Sequence, residues 1–504
     1  MSFRKIGYAT LGLAFATTLA RVCGLAREVV SADVFGTTLV YDAFLLAFMI
    51  PNFFRGLLAE GALSTAFIPV LTGYLNDGTK RHEVPKIVNV CFTLSLVVTV
   101  ALSVLALVAS FTAVHFLPPT SKWYWTFLLL KYTFPYLVFI SLAAVCMGYL
   151  NAVKHFAAPA YAPIILDGAW IVALLVLVPL LGSGMETQIL GLCAGVVIGG
   201  VGQFLFQVPF VNRRGIRFRL DWSFRHPAVV KMGRLLAPVM IGVAVGPVNL
   251  MVDYGLANSL AAGSVSALWY ATRVFQLPLG IFAVSLSTVV LPWFAEHVAK
   301  GDHRRLEQDI ASSFNLLFLV LVPSSVFLML LGTETVSVLF LRGAFDRTSL
   351  SMTSSALFFF SIGLTGYGAA AILTRAFYGF HDTRTPVLVG LVSIAVNVLL
   401  DLILMRPFGH AGIALSTSLV GCLNGLLLLW LFRRKHLRIS LRKPVSSLAK
   451  TCVASAAAGW AVLAVTGMLS GSPAPVVLVA AGSAGIVVVL LAALFTKPLG
   501  YSWI

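Results

Sequence analysis

The sequence predicts an all-α polytopic membrane protein with about fourteen transmembrane helices, two six-helix parallel repeats around a central cleft plus two C-terminal helices. Three observations predict it. Hydrophobic residues make up 59% of the 504 and charged ones 11%, with a mean hydropathy of +0.96. A soluble fold of this length would leave large apolar patches in water. The apolar residues also come in runs of the roughly 20 residues that a spanning helix needs. And the chain repeats itself.

The runs place helices near 8–32, 39–73, 87–117, 123–150, 159–182, 187–211, 234–259, 264–298, 309–333, 350–379, 386–405, 411–432, 447–469 and 475–496. Helices are the natural choice because lipid offers no partner to backbone polar groups. Alternating strands of the outer-membrane barrel kind are absent. The reading divides the chain into an N-terminal six-helix lobe (1–225), a C-terminal six-helix lobe (226–440) and two extra helices (441–504).

Orientation follows from Lys and Arg. With the N-terminus inside, only Lys122, Lys131, Arg342, Arg347 and Arg406 of the 35 basic residues fall on outer loops or helix ends. Arg21, Arg27, Arg55, Arg273 and Arg375 fall at membrane depth, and the others lie inside. That bias puts both termini in the cytoplasm, with 213–225 and 433–443 as the strongest signals. Trp123, Tyr124 and Trp125 mark an outer interface. The net charge of +17 therefore reads as topology and not as nucleic-acid binding. Cys23, Cys91, Cys146, Cys193, Cys422 and Cys452 lie in apolar runs without a CxxC pair, as small hydrophobes do. No cleavable leader is expected, since the first run follows Arg4 and Lys5 without a clear cleavage site.

Gly191, Gly200, Gln203 and Arg213 recur as Gly412, Gly421, Asn424 and Arg434 at a constant offset of 221. Gly36, Phe48 and Pro51 recur as Gly263, Phe275 and Pro278 at an offset of 227. Parallel repeats are a transporter architecture, with the substrate between the halves. Pro51, Pro247, Pro278 and Pro292 are expected to kink their helices.

Charge at the bilayer centre is costly and marks function or pairing. Helix one carries Arg21, Arg27 and Glu28; helix two carries Asp42, Arg55 and Glu60; helix eight carries Arg273. Arg21 and Glu28, seven apart, share a stripe, as do Asp42 and Glu60 if their helix is straight. Arginines clamp phosphate through paired hydrogen bonds and stay charged in low dielectric. A pyrophosphate-bearing ligand suits the set better than a metal or a neutral drug. The bland alternative is that Arg21–Glu28 and Arg55–Glu60 are ion pairs fixing helix packing. Asp167 and Arg375 are lone intramembrane charges, Asp167 a counter-ion for an unassigned group.

A second constellation joins Asp253 on helix seven, Asn397 and Asp401 on one face of helix eleven, and Thr417 on helix twelve. This hard-oxygen set suits Na⁺ or a proton relay; the alternative is helix-to-helix hydrogen bonding. No Walker A loop, HExxH or GxSxG occurs, so a transporter is expected and not an enzyme.

The stretches Ala20-Arg-Val-Cys-Gly-Leu-Ala-Arg27, Phe35-Gly36, Asp42-Ala-Phe44, Ala47-Phe48, Ile50-Pro-Asn-Phe-Phe-Arg55, Ala59-Glu-Gly-Ala62 and Ala66-Phe-Ile-Pro69 closely resemble the opening of the MurJ (MviN) family. So do Tyr270-Ala-Thr-Arg273, Gln276, Pro278, Gly280, Leu291-Pro292, and Ala376-Phe-Tyr378 to Asp382-Thr-Arg-Thr-Pro386. The resemblance runs across nearly the whole chain. It implies a member of the multidrug/oligosaccharidyl-lipid/polysaccharide exporter superfamily that moves lipid II to the periplasmic leaflet of the inner membrane. It implies cavity arginines at Arg21, Arg27, Arg55 and Arg273 and cavity acids at Asp42 and Glu60. Glu28 and Asn52 complete the candidate substrate-binding set. The last two helices would form a groove for the polyprenyl tail. Asp253, Asn397, Asp401 and Thr417 resemble the Na⁺ site of some members; no other cofactor is expected. Partners would be lipid II, membrane lipids and cell-wall synthesis proteins. Gln276 departs from relatives that carry an acid there. The alternatives are a flippase for another polyprenyl-linked glycan, a cation-coupled drug antiporter, or a scaffold; four arginines argue against the antiporter's acid-lined cavity, and the lack of large soluble segments argues against the scaffold.

Overall fold

The computed structural model describes residues 3–57, 66–182 and 184–496, and among these every regular element is helical. In chain order they are α1 (Phe3–Phe35), α2 (Leu39–Arg55), α3 (Ile68–Asn76), α4 (Val84–Phe116), α5 (Lys122–Thr133), α6 (Tyr136–Ala152), α7 (Ala157–Val172), α8 (Val178–Leu180), α9 (Met185–Asn212) and α10 (Pro227–Ala257). There follow α11 (Ser264–Pro278), α12 (Ser285–Ala299), α13 (His303–Leu330), α14 (Gly332–Phe340), α15 (Arg347–Ile362), α16 (Leu364–Gly379), α17 (Arg384–Phe408), α18 (His410–Lys435), α19 (Arg442–Met468) and α20 (Ala474–Thr496). By length and apolarity nine of the described helices can cross a membrane, or eleven if each of two bent pairs counts as one span. The expected count of about fourteen goes beyond what these criteria establish.

Leucine, valine and phenylalanine dominate the outward faces. Leu105 and Phe111 on α4 are 65% and 63% exposed, and Trp460 on α19 is 77% exposed. Such side chains face lipid, which does not penalise them as water would.

The breaks have local causes. α5 and α6 meet at 47° around Pro135, which has no N–H to continue the α-helical ladder. α15 and α16 meet at 46° at Gly363, where a Cβ would sit 2.6 Å from the Cα of Ser418. α7 and α8 are joined by a wide π-helical segment, Ala173–Leu177, and α11 and α12 by another, Leu279–Val284, directly after Pro278.

The chain divides into two units, Met1–Asn258 and Ser259–Ile504. In the first, α10 packs on α2, α3 and α4, with Ala228 and Met232 in one core with Phe67, Val88 and Tyr149. In the second, α19 lies along α13 and α20, joined through a small core of Leu331, Val462 and Ala481.

The internal repeat is visible in the packing. Gly36 and Gly263, equivalent by offset, both take positive φ (54° and 87°), the region that favours glycine. Phe48 contacts Tyr136 at 5.8 Å between ring centroids, and its equivalent Phe275 contacts Tyr367 at 5.9 Å. A Cβ on Gly200 would meet the Tyr136 ring at 2.7 Å, and one on Gly421 would meet the Tyr367 ring at 2.5 Å. The same phenylalanine–tyrosine–glycine contact is thus built once in each unit. Gly421→Leu is expected to lower stability by about 1–3 kcal/mol through overpacking. A thermal midpoint in detergent equal to wild type would show that Tyr367 yields without cost.

Candidate functional site

In the first unit α1 runs along α7. Arg27 and Ser31 are one turn apart on α1, and Asp167 and Trp170 are three apart on α7, so each pair presents one face. Arg27 Nη1 donates to Asp167 Oδ1 at 2.8 Å, and its Nη2 donates to Glu28 Oε1 at 2.6 Å. Its guanidinium lies 4.6 Å from the Trp170 ring, a cation–π contact. Trp170 Nε1 donates to Ser31 Oγ at 3.0 Å, and Ser31 donates in turn to the Arg27 carbonyl at 2.8 Å. Phe44 and Phe48 of α2 meet Trp170 edge-on at 5.3 and 5.2 Å. Gly24 leaves room here: the nearest atom to a Cβ on it would be Asp167 Oδ2, at 3.7 Å.

This geometry revises the pairing read from the sequence. Glu28, only 2% exposed, pairs with Arg27, while Arg21 is exposed. Asp167 is the counter-ion of Arg27. Two of Arg27's donor nitrogens are therefore spent on carboxylates.

Asp42 is fully buried in the first turn of α2 and lies within electrostatic reach of Lys122. Arg55, half-buried at the end of α2, donates from Nε to Asn52 Oδ1 at 2.7 Å. Beyond it the helix widens into a π-like turn at 56–57. Glu60 lies outside the described residues.

In the second unit, half-buried Arg273 stacks 4.1 Å from the ring of Trp269, one turn earlier on α11. Gln276 is exposed. Arg375 lies 5.8 Å from the Tyr378 ring.

The oxygen-donor residues divide between the units. Asp253, on α10, accepts from Asn249 Nδ2 at 3.4 Å. On α17, Asn397 Nδ2 donates to Asp401 Oδ2 at 2.9 Å, and Ser416 of α18 donates to the Asn397 carbonyl at 3.1 Å. Asn397 and Asp401 are fully buried. Asn397 turns its NH2 to Asp401 while its Oδ1 lies 3.4 Å from Ser416 Oγ, so carboxylate, amide and hydroxyl form one hydrogen-bonded set of candidate donors for a hard ion. Thr417 turns its hydroxyl to the carbonyl of Ile413, 2.9 Å away on its own helix. Among the described residues no three His, Cys, Asp or Glu side chains gather as a metal site.

The 376–386 segment has a structural job in the fold. Asp382 accepts from Thr385 N at 3.0 Å and Oγ1 at 2.6 Å, and pairs with His436 at 3.2 Å. Phe380 stacks on His436 at 4.5 Å. Burial pushes the Asp382 carboxyl up, but the bonds from Thr385 and His436 outweigh it and hold the group below the usual carboxylate range. The turn before α17 is thereby clasped to the end of α18.

Sequence reasoning missed Trp170, Ser31, Trp269 and Ser416. The available signal was spacing: Trp170 follows Asp167 by three, and Trp269 precedes Arg273 by four.

Comparison with known proteins agrees with this architecture. The family model for the lipid II flippase MurJ matches residues 31–481. A probable lipid II flippase MurJ of Haemophilus influenzae is 34% identical, over 88% of this chain and 90% of its own. One of Vibrio cholerae is 35% identical, over 84% and 81%. A solved structure of lipid II flippase MurJ in an inward closed conformation superposes with a TM-score of 0.81 at 25% identity, covering 97% of this chain and 99% of its own. An inward-facing multidrug resistance MATE family transporter of the MOP superfamily shares the fold, with a TM-score of 0.67 at 15% identity over 83% of this chain and 95% of its own. The chain belongs to the lipid II flippase MurJ family.

Proposed function

We propose that this chain flips lipid II from the cytoplasmic to the periplasmic leaflet of the bacterial inner membrane, with both termini cytoplasmic. The family match across residues 31–481 carries the reading. The chain works as two lobes whose rocking exposes the substrate to either leaflet in turn, as parallel-repeat transporters do. Arg55 and Arg273, half-buried and braced by Asn52 and Trp269, bind the pyrophosphate, with Arg21 at the approach. Arg27 serves mainly to hold α1 to α7, because Glu28 and Asp167 already neutralise it.

The polyprenyl tail runs along helices of segment 441–504. An apolar cleft of about 420 Å³ supports this, lined by Phe318, Ala369, Leu373, Leu426, Pro444 and Leu448. Native mass spectrometry with lipid II tests the reading on wild type, Arg55→Ala and Arg273→Ala. Selective retention of lipid II that both substitutions weaken is the expected result. Equal retention of lipid II and ordinary anionic lipids would reject it.

Na⁺ bound by Asp401, Asn397 and Ser416 would neutralise a carboxylate in the apolar interior. Ligand binding raises stability by roughly 2.7 kcal/mol at a hundred times its dissociation constant. The wild-type thermal midpoint is therefore expected to rise in Na⁺ relative to K⁺ and that of Asp401→Asn is not. Equal midpoints of wild type in the two salts would leave the cluster as helix packing alone.

A further inference from the structure

The segment 213–226 joins α9 to α10 without regular structure, yet it is firmly placed. The Tyr149 hydroxyl donates to the Arg214 carbonyl at 2.9 Å. Asn89 of α4 donates to the Arg217 carbonyl and accepts from the Arg219 N–H, both at 3.2 Å. The Asp221 N–H donates to Thr93 Oγ1 at 2.9 Å, and Phe218 stacks on Phe92 at 4.6 Å. The segment then returns to the start of α4, where His226 meets Glu83 at 3.2 Å.

These anchors give its depth. At 1.5 Å per residue, Thr93 lies about 15 Å along α4 from Glu83. α4 is one of the helices long and apolar enough to cross a membrane, and with 33 residues, about 50 Å, it overhangs the roughly 30 Å hydrocarbon core, so a point 15 Å from its start fits the headgroup level. The segment therefore dips down the side of a spanning helix and climbs back. At its lowest point, where Asp221 meets Thr93, Leu220 and Trp222 are 58% and 61% exposed, and the next residues of α4, Leu94 and Val97, are exposed as well. Residues 213–226 contain five arginines, Arg213, Arg214, Arg217, Arg219 and Arg225, all exposed. The single acid, Asp221, accepts from Ser223 N at 2.9 Å.

We propose that this strap is a binding surface for anionic phospholipid: Leu220 and Trp222 enter the interface, and Arg217, Arg219 and Arg225 hold the phosphate headgroups. Tryptophan favours the headgroup level, and arginine pairs with phosphate through two parallel hydrogen bonds. A tryptophan and a leucine exposed together beside the first turns of a spanning helix, amid five arginines, match the chemistry of the headgroup level better than that of open water. The strap thereby gives the first unit a grip on anionic lipid that is separate from substrate binding. The proposal rests on α4 spanning the bilayer and not on which side the strap faces.

The test uses the full chain in vesicles whose two leaflets have the same composition, so insertion direction does not matter. Trp222 fluorescence is isolated as the difference between wild type and Trp222→Phe. The quenchers are phosphatidylglycerol or phosphatidylcholine brominated near the carbonyl end of the chain, and aqueous iodide; undecaprenyl pyrophosphate in plain vesicles is the added ligand. Severalfold stronger quenching by the brominated phosphatidylglycerol than by the phosphatidylcholine is expected. Arg217→Gln/Arg219→Gln/Arg225→Gln should abolish the preference. Its fold is safeguarded, since Asn89 binds backbone groups at 217 and 219 and not their side chains. Equal quenching by both phospholipids, or quenching by iodide alone, would overturn the proposal; the second outcome would mark a site for a soluble partner. A change in Trp222 emission on adding undecaprenyl pyrophosphate without any phospholipid preference would overturn it too, in favour of the transported lipid.

Discussion

Arg27→Leu is expected to lower the stability of the protein by about 3–5 kcal/mol, because it strands two buried carboxylates. Glu28 and Asp167 are 2% and 7% exposed, and both point at the guanidinium that would be lost. Leucine also removes the cation from the face of Trp170. The readouts are folded yield and thermal midpoint in detergent. The triple variant Arg27→Leu/Glu28→Gln/Asp167→Asn should regain most of the loss, since it removes the charges together. The opposite pattern, in which Arg27→Leu keeps the wild-type midpoint and loses lipid II binding, would make Arg27 a ligand of the pyrophosphate and refute the packing role.

Arg273→Ala should behave the other way, with a near-normal midpoint and lipid II flux in proteoliposomes falling to background. A hydrogen bond to a charged group contributes about 1.5–3 kcal/mol. Losing one such contact reads as roughly ten- to hundredfold in affinity. Arg273→Lys should recover part of the flux, because lysine restores the charge without the planar fork. Arg55→Ala is expected to match Arg273→Ala, since the two arginines lie on equivalent helices of the repeat, Arg55 four residues after Pro51 and Arg273 five before Pro278. Normal flux in both alanine variants, with lipid II present and protein inserted, sinks the phosphate-clamp mechanism.

The parts of this fold legible in the sequence are those that bilayer chemistry writes locally. Apolar runs mark helices because lipid demands a closed backbone, and the 264–298 run matches α11 through α12 almost residue for residue. The repeat was legible because glycine packing tolerates no substitute: Gly200 and Gly421 each lie against a tyrosine ring. What stayed hidden is tertiary. Asp167 is 140 residues from Arg27, and no local pattern pairs them. The sequence instead offered Glu28 to Arg21 on helix periodicity, whereas the structure gives it to Arg27, its immediate neighbour. The strap's dip along α4 depends on the Asn89 and Thr93 side chains, which in sequence are two polar residues at the start of an apolar run.

The π-helical segments bear on how these helices transmit motion. Each holds one residue more than the α-helical ladder needs, so side chains beyond it are turned by about 100° from where a straight helix would put them. On the α11–α12 helix the segment Leu279–Val284 stands between Arg273 and everything downstream of Ser285. Slack of this kind is portable. If the surplus residue moves along the chain by a turn, the part it passes swivels while both ends stay fixed, as a ruck pushed along a carpet shifts the fabric without pulling on its edges.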